Sequence, residues 1–213
     1  MKKKFNLFNW LFDGNPLFSM LLGMCTTLAI TTTFENGFVM GLSVTVVLLF
    51  SSIIVSLISK YISDELRIPS YIIVIATFVT VLEVLLRKYS IPVYEALGVY
   101  LPLITVNCII MGRVLSFASK NKVGASILDS LKCGIQYTFA IVLLASIREI
   151  LGNNSLTIID NLSGLLGFKL SFNIFPSSIF VPSNIFLTSA GAFITLGILL
   201  GILNSIRNRG DSK

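Results

Sequence analysis

Long runs of apolar residues alternate with short polar stretches along the whole of this chain. A run of roughly 20 apolar residues is long enough to cross about 30 Å of hydrocarbon as a helix. Six such runs occur, near residues 16–33, 38–59, 69–88, 92–113, 126–151 and 184–206. Lipid offers no partner to backbone polar groups, and the runs are too continuous for the alternating strands of a barrel. The pattern therefore predicts an all-α integral membrane protein with six transmembrane helices.

The composition excludes a soluble domain of this size. The 213 residues are 54% hydrophobic and only 12% charged, with a mean hydropathy of +0.89. The chain contains no histidine. It therefore lacks the usual general base of enzymes and the usual nitrogen ligand of zinc.

The positive charges predict the orientation of the six helices. With the N-terminus inside, twelve of the sixteen Lys and Arg residues lie in the inner segments and four in the outer segments. Cytoplasmic segments of membrane proteins carry such an excess. We therefore expect both termini in the cytoplasm. The basic excess then reflects topology, and we expect lipid contact and no nucleic-acid binding.

Three segments lie outside the predicted helices. Residues 1–15 combine three lysines with aromatic side chains and offer no signal-peptide cleavage site, so we expect them on the cytoplasmic membrane surface. Residues 155–183 are too apolar for a free loop and too broken for a span, which predicts a segment along the outer interface. Residues 207–213 form a cytoplasmic tail. Arg148 and Glu149, just before the sequence GNN, are expected to be interface anchors.

The six helices divide into two halves of three, residues 16–88 and 89–206. An odd number of helices per half makes the second half enter the membrane from the opposite side, which is an inverted repeat. The first and fourth helices are both interrupted. The interrupting residues are Pro16, Gly23 and Thr31–Thr33 in the first, and Pro92, Gly98 and Pro102 in the fourth. Broken helices at corresponding positions indicate the functional site of such a protein.

Each interrupted helix also carries a cysteine, Cys25 in LLGMCTTLAITTT and Cys108 in LPLITVNCIIMGR. A buried free cysteine behaves as a small hydrophobic residue and is ordinary. A matched pair is also half of the four thiolates that an iron–sulfur cluster normally needs. Cys133 has no counterpart in the first half and is expected to be a packed or weakly exposed thiol. If the pair binds a cluster, a second chain must supply the remaining ligands.

Glu83, Thr26 and Thr27 are candidates for lining an ion path, because ionisable and polar residues within membrane helices are often functional. Each has an alternative interpretation. Arg87 follows Glu83 by one helical turn and can pair with it. Threonine hydroxyls in helices usually bond back to carbonyls of the same helix.

Several stretches resemble one known family. LGMCTTLAITTT, RIPSYIIVIATFVTVLEVLLRKY, ALGVYLPLITVNCIIMGR, FASKN and IREILGN are similar to the E subunit of Rnf electron-transport complexes. They are similar, less closely, to the D subunit of the sodium-pumping NADH:quinone oxidoreductase. The chain departs from the family pattern at Thr26, where the family has proline, and at Val114–Ser116 in GRVLSFASKN.

The resemblance implies a six-helix inverted-repeat protein that pairs with the homologous Rnf A subunit. Together they would hold a [2Fe–2S] cluster, with Cys25 and Cys108 as the ligands from this chain. It implies an ion-transporting ferredoxin:NAD⁺ oxidoreductase, coupled to Na⁺ or H⁺, in which no catalysis is expected from this chain alone. The B, C, D and G subunits would provide the flavins, the other clusters and the ferredoxin and NAD sites, and no flavin is expected on this chain.

Two other classes of function remain open from the residues alone. A secondary transporter shares the architecture of inverted repeats with broken helices. A cofactor-free scaffold that holds redox proteins would also be a bundle of apolar helices. An isolated complex that is colourless and contains no iron would favour either of these over an electron carrier.

Overall fold

A computed structural model describes residues 16–89, 91–153, 155–157, 171–173 and 188–211. Helices account for most of these residues, as the hydrophobic pattern predicts. The α-helices are α1 (Pro16–Met20), α2 (Met24–Ile30), α3 (Phe34–Ile58), α4 (Arg67–Tyr89), α5 (Ile91–Leu97), α6 (Leu101–Thr105), α7 (Cys108–Arg113), α8 (Val123–Asn153) and α9 (Ser189–Asp211). A 3₁₀ turn at Asp64–Leu66 precedes α4, and a π-helix at Val114–Ala118 continues α7.

Four stretches of the described residues are long and apolar enough to cross a membrane. They are Phe34–Ile58, Asp64–Tyr89, Leu101–Ala118 and Val123–Gly152, and a shorter apolar stretch covers Ser189–Ile202. The chain is therefore a multi-pass membrane protein by the length and composition of its helices. The arrangement of six helices as two inverted repeats stays a prediction.

The predicted interruptions of the first and fourth apolar runs are present. The first run consists of α1 and α2, which Leu21–Gly23 separate. Leu21 and Gly23 both have a positive φ, of 55° and 80°. The fourth run consists of α5, α6 and α7, with breaks at 98–100 and 106–107. Gly98 marks the first of these breaks as expected, whereas Pro102 lies inside α6 near its start, a position that tolerates proline.

The centre of the fold is the close contact between α3 and α8. A Cβ atom built on Gly41 would lie 2.7 Å from Thr138 Cγ2, and one built on Gly134 would lie 2.5 Å from Thr45 Cγ2. The pairing of 41 with 138 and of 45 with 134 shows that the two helices run antiparallel. Small residues let helix backbones approach closely in a membrane, where packing rather than the hydrophobic effect drives association.

Hydroxyl groups add polar contacts along the same interface. Thr45 Oγ1 lies 3.2 Å from Thr138 Oγ1, and Ser130 Oγ donates to Ser52 Oγ at 2.7 Å. Both serines are almost fully buried. Such interhelical hydrogen bonds contribute about 0.6 kcal/mol each on average in membrane proteins. These hydrogen bonds stabilise the pair of long helices, α3 and α8.

Serines near the end of α3 also fix the loop that joins the π-helix to α8. Ser56 Oγ donates to the carbonyl of Asn121 at 2.7 Å, and Ser59 Oγ donates to the carbonyl of Ser119 at 2.5 Å. At the same end of the bundle Arg113 and Asp129 form an ion pair between α7 and α8. These contacts tie the segment that follows Cys108 to the α3–α8 pair.

In contrast, α4 is packed on one narrow face only. Tyr71, Ile75 and Val79 are its buried residues, and they recur every four residues along the helix. Apolar side chains on its other faces are largely exposed in the isolated chain, for example Ile73 and Val84. This helix therefore offers most of its surface to lipid or to another chain.

The connection between α8 and α9 contains a short antiparallel pair of strands, β1 (Ser155–Thr157) and β2 (Ser171–Asn173), which the hydrophobic pattern did not predict. Apart from this pair, the regular structure of the described residues is helical, as expected. The rest of the predicted outer segment lies outside the described residues, as do the N-terminal segment 1–15 and Lys213.

Candidate functional site

The two interrupted runs bring Cys25 and Cys108 together. The distance between their Sγ atoms is 3.9 Å, although 83 residues separate them in sequence. Cys25 lies in the first turn of α2, and Cys108 is the first residue of α7. Both are exposed in the isolated chain. The structure thus places two thiols side by side on the surface of the protein.

The break before Cys25 depends on a glycine. Gly23 lies in the left-handed region with φ 80° and immediately precedes α2. A Cβ atom at this position would lie 2.6 Å from Ile109 Cδ1 and 3.2 Å from Tyr137 Cε2. Only glycine therefore satisfies both the backbone conformation and the close approach to α7 and α8.

The break before Cys108 depends on an asparagine. Asn107 is the N-cap of α7, and its side-chain oxygen accepts a hydrogen bond from the backbone N–H of Ile109 at 3.0 Å. Asparagine is among the preferred residues at this position because its side chain satisfies an N–H group that the helix leaves free. Its side chain is fully buried. The sequence pattern alone did not predict this role for Asn107.

A buried hydrogen-bond network connects the two breaks. Asn107 Nδ2 donates to Thr26 Oγ1 at 3.2 Å. Tyr137 OH, on α8, lies 2.8 Å from the same oxygen. All three side chains are fully buried. The residue after Cys25 is therefore bonded directly to the residue before Cys108.

The spacing of the thiols fits a shared metal ion. Two thiolates that bind one tetrahedral ion, each about 2.3 Å from it, lie about 3.8 Å apart. The observed 3.9 Å matches that spacing without rearrangement of the backbone. Within the described residues no third Cys, Asp or Glu joins the pair. Cys133 is buried in the core and belongs to no such group.

The predicted ion-path residues lie in two different places. Thr26 Oγ1 and Thr27 Oγ1 both donate to the carbonyl of Gly23, at 3.1 and 2.8 Å. Glu83 accepts a hydrogen bond from Tyr94 OH at 3.3 Å. No hydrogen bond of the described residues joins Glu83 to either threonine. A common path through all three residues stays a prediction.

The alternative pairing of Glu83 with Arg87 was wrong for the described part of the chain. The Arg87 guanidinium instead lies 5.9 Å from the centre of the Tyr94 ring, in a cation–π arrangement. Tyr94 therefore lies between the two charged residues and contacts both. Tyr94 belongs to α5. The spacing of Glu83 and Arg87 along α4 does not reveal that α5 lies close to α4.

Arg148 and Glu149 are also placed differently from the prediction. Both were expected at the membrane interface, and both are fully buried inside the chain. Arg148 donates to Thr31 Oγ1, to the carbonyl of Leu28 at 3.5 Å and to the carbonyl of Thr188 at 3.1 Å. Glu149 accepts from the backbone N–H of Phe34 at 2.8 Å.

These two neighbours on α8 brace the turn between α2 and α3. The cation of Arg148 lies at the C-terminal end of α2, and the carboxylate of Glu149 lies at the N-terminal end of α3. Each charge has the sign that the helix dipole favours at that end. The expectation failed because the sequence does not reveal that the Thr31–Thr33 turn packs against the end of α8.

The chain is similar to a known family over almost its whole length. The family described as "Rnf-Nqr subunit, membrane protein" matches residues 4–200. The chain belongs to the Rnf-Nqr family. This match agrees with the resemblance of the sequence motifs and with the apolar helices of the fold.

Curated relatives show the same similarity. The chain is 40% identical over 199 residues to the E subunit of the Na(+)-translocating ferredoxin:NAD(+) oxidoreductase complex of Acetobacterium woodii, covering 93% of this chain and 94% of the relative. It is 39% identical over 211 residues to the E subunit of the ion-translocating oxidoreductase complex of Pseudoalteromonas atlantica, covering 97% and 89%. The protein of the same name in Methanosarcina acetivorans is 39% identical over 204 residues, covering 93% and 89%.

Proposed function

We propose that this chain is the E-type membrane component of an ion-translocating ferredoxin:NAD⁺ oxidoreductase complex. In this proposal Cys25 and Cys108 supply two of the four thiolates of a [2Fe–2S] cluster, and a homologous six-helix protein supplies the other two. The observation that carries it is the pair of exposed thiols at metal-binding spacing. Full-length similarity to proteins named for this activity supports the identity of the complex.

The chemistry of the donors favours iron over a hard cation. Thiolates are soft ligands and bind iron–sulfur clusters, whereas sodium, magnesium and calcium prefer oxygen. The whole chain has three cysteines and no histidine, so it lacks the nitrogen ligands on which most zinc and copper sites rely. A cluster of this type supplies one-electron transfer.

The exposure of the thiols explains why a partner is needed. Two thiolates left facing hydrocarbon would be strongly unfavourable, since charge in lipid is expensive unless it is paired. A second protein that brings its own cysteine pair to the same face completes the ligand set and covers the charge. Metal binding then contributes to the stability of the assembly.

The contacts of this chain support the role that it has in the proposal. Gly23 and Asn107 set the positions of Cys25 and Cys108, and the antiparallel α3–α8 pair supports both. The chain holds the electron carrier within the membrane, and binding of ferredoxin and NAD is assigned to the other subunits. The proposal also includes coupling to a cation, Na⁺ or H⁺. It is supported by the relative that is named as Na(+)-translocating.

The orientation in the proposal is that of a prokaryotic inner-membrane protein with both termini in the cytoplasm. Labelling intact cells and broken membranes with an impermeant thiol reagent tests this. Single cysteines introduced at Lys120 and Lys213 should react only in broken membranes, and one at Lys169 should react in intact cells. Reaction of the Lys213 position in intact cells would contradict the six-helix arrangement.

Replacement of each cysteine by serine tests the cluster. In the intact complex purified anaerobically, Cys25→Ser and Cys108→Ser should each lower the iron content and change or remove the reduced-state EPR signal. They should block ferredoxin-to-NAD⁺ electron transfer, while the nucleotide-binding subunits keep activity with artificial electron carriers. A serine variant with full iron, an unchanged EPR signal and normal turnover would refute the ligand assignment.

A further inference from the structure

Two residues adjacent to the thiols are joined by a buried hydrogen bond that the proposed ligand role does not require. Thr26 follows Cys25 directly, and Asn107 precedes Cys108 directly. Asn107 Nδ2 donates to Thr26 Oγ1, and Tyr137 OH, on α8, lies within hydrogen-bond distance of the same oxygen. The three side chains thus connect both cysteine-bearing segments to the core of the fold.

The hydrogen-bonding capacity of Thr26 is used completely. A hydroxyl group has one donor and two acceptor positions. Thr26 Oγ1 donates to the carbonyl of Gly23, so it accepts from Asn107 and from Tyr137. Tyr137 is therefore the donor in its contact with Thr26. Replacing Thr26 with a residue that has no hydroxyl therefore removes the hydrogen-bond partner that the buried Asn107 Nδ2 and the buried Tyr137 OH share.

We propose that Asn107, Thr26 and Tyr137 form a clamp that fixes the spacing of the Cys25 and Cys108 thiols before any metal binds. All three are positioning residues, because they act by holding the two cysteines in place. The relevance of the clamp to an iron–sulfur cluster rests on the function proposed above. The claim that the clamp pre-arranges the two thiols concerns this chain alone.

Pre-arrangement has a measurable consequence. Without the clamp, α2 and α7 keep their cysteines but lose the direct bond between the two breaks. A soft metal ion that bridges both thiols must then order them when it binds, which lowers its affinity. The loss of metal affinity should be partial, because the Gly23 turn and the Asn107 cap remain in variants of Thr26 and Tyr137.

The chain offers matched variants for the test. Tyr137→Phe removes only the clamp hydroxyl. Tyr71→Phe removes the hydroxyl of another buried tyrosine, on α4, which has no hydrogen-bond partner among the described residues and is 1% exposed. Thr26→Val removes the hydroxyl at nearly constant volume, and Thr26→Ser keeps it.

The probe is Cd²⁺, which binds thiolates strongly. Membranes containing the whole complex are stripped of iron with a chelator and then alkylated at increasing Cd²⁺ concentrations. Mass spectrometry reports the protection of Cys25 and Cys108 separately. Tyr137→Phe and Thr26→Val should raise the half-protecting concentration about fivefold to tenfold, the effect of one lost buried hydrogen bond. Tyr71→Phe and Thr26→Ser should stay within about twofold of the unmodified protein.

A second measurement uses the complex purified anaerobically with its iron. The midpoint potential and the EPR line shape should change in Tyr137→Phe and Thr26→Val and stay unchanged in Tyr71→Phe and Thr26→Ser. If Tyr137→Phe does not accumulate, the comparison of Thr26→Val with Thr26→Ser carries the test.

The outcomes separate the clamp from the proposed function. A complex without iron in which the two variants still weaken Cd²⁺ protection would support the clamp and refute the cluster. A complex with iron in which all four variants match the unmodified protein in Cd²⁺ protection and potential would refute the clamp and leave the cluster standing.

Discussion

The break before Cys25 and the break before Cys108 place their sulfur atoms next to each other by different means. The first requires the absence of a side chain, because Gly23 has a positive φ and lies against Ile109 and Tyr137. The second requires the presence of one, because the Asn107 side chain caps α7. Two helix breaks that each precede a cysteine therefore need not share the same local chemistry.

The two breaks also differ in their support. The segment that carries Cys25 is fixed at its far end by Arg148, which bonds to Leu28 and Thr31. The segment that carries Cys108 continues into a π-helix and is tied to α8 by the ion pair of Arg113 with Asp129. Because Arg148 is fully buried and the Arg113–Asp129 ion pair is partly exposed, we expect the Cys25 side to be more sensitive to substitution than the Cys108 side.

The largest effect is expected from Gly23→Ala. A left-handed conformation costs a residue with a Cβ atom roughly 1–2 kcal/mol, and overpacking against Ile109 adds about 1–3 kcal/mol. The variant should accumulate poorly in the complex and lose iron. Gly112→Ala is the control, since its Cβ would lie an ordinary 3.6 Å from Leu22 Cδ1. Equal accumulation of the two variants, measured by quantitative immunoblotting of the purified complex, would contradict this account of the first break.

The next largest effect is expected from Arg148→Leu. Its hydrogen bonds to Leu28, Thr31 and Thr188 are lost, and the loss of buried hydrogen bonds of this kind costs about 1–3 kcal/mol. The thermal midpoint of the detergent-solubilised complex should fall by several degrees. Arg67→Leu is the control, because it removes a surface ion pair with the exposed Asp64 that contributes about 0–1 kcal/mol. A larger fall of the thermal midpoint in Arg67→Leu than in Arg148→Leu would contradict a stabilising role for the buried hydrogen bonds of Arg148.

A smaller effect is expected from Asn107→Ala. This variant tests whether Asn107 only caps α7 or also links the break before Cys25 to the break before Cys108. Loss of an N-cap costs about 1 kcal/mol. Thr33→Ala removes a comparable cap, on α3, where Thr33 Oγ1 accepts from the N–H of Asn36 at 3.4 Å. Both variants should lower the thermal midpoint, and only Asn107→Ala should also shift the midpoint potential of the cluster. An equal shift of the midpoint potential in both variants would contradict a role for Asn107 in linking the two breaks.

The smallest effect is expected from Cys133→Ser. Cys133 is 3% exposed within the core, and a serine at this position in α8 can bond back to a carbonyl of the same helix. Iron content, EPR signal and turnover should equal those of the unmodified complex. Loss of iron in this variant would mean that the cluster ligands include Cys133.

Much of the fold was predictable because the bilayer requires long apolar helices. The predicted runs 38–59, 69–88 and 126–151 correspond closely to α3, α4 and α8. The interruptions were also predictable where glycine or clustered threonines occur, as at Gly23 and Thr31–Thr33. The second break before Cys108 was not, because an asparagine within an apolar run does not by itself indicate a helix start.

The site was predictable only in part. The sequence indicates Cys25 and Cys108 as a pair, but their 3.9 Å separation depends on how α2 and α7 pack against α8. Tyr137 gave no signal, since a tyrosine in a long apolar helix is ordinary. The burial of Arg148 and Glu149 was also hidden, because charged residues near a helix end normally lie at the membrane surface.

The most direct test of the shared cluster is metal analysis of this chain isolated anaerobically with its homologous partner and free of the other subunits. The account predicts a coloured pair that contains about two iron atoms and two labile sulfides, the content of one [2Fe–2S] cluster. It also predicts an EPR signal on reduction. A colourless pair without iron, from a preparation in which both proteins are intact and associated, would contradict the account and favour a cofactor-free scaffold.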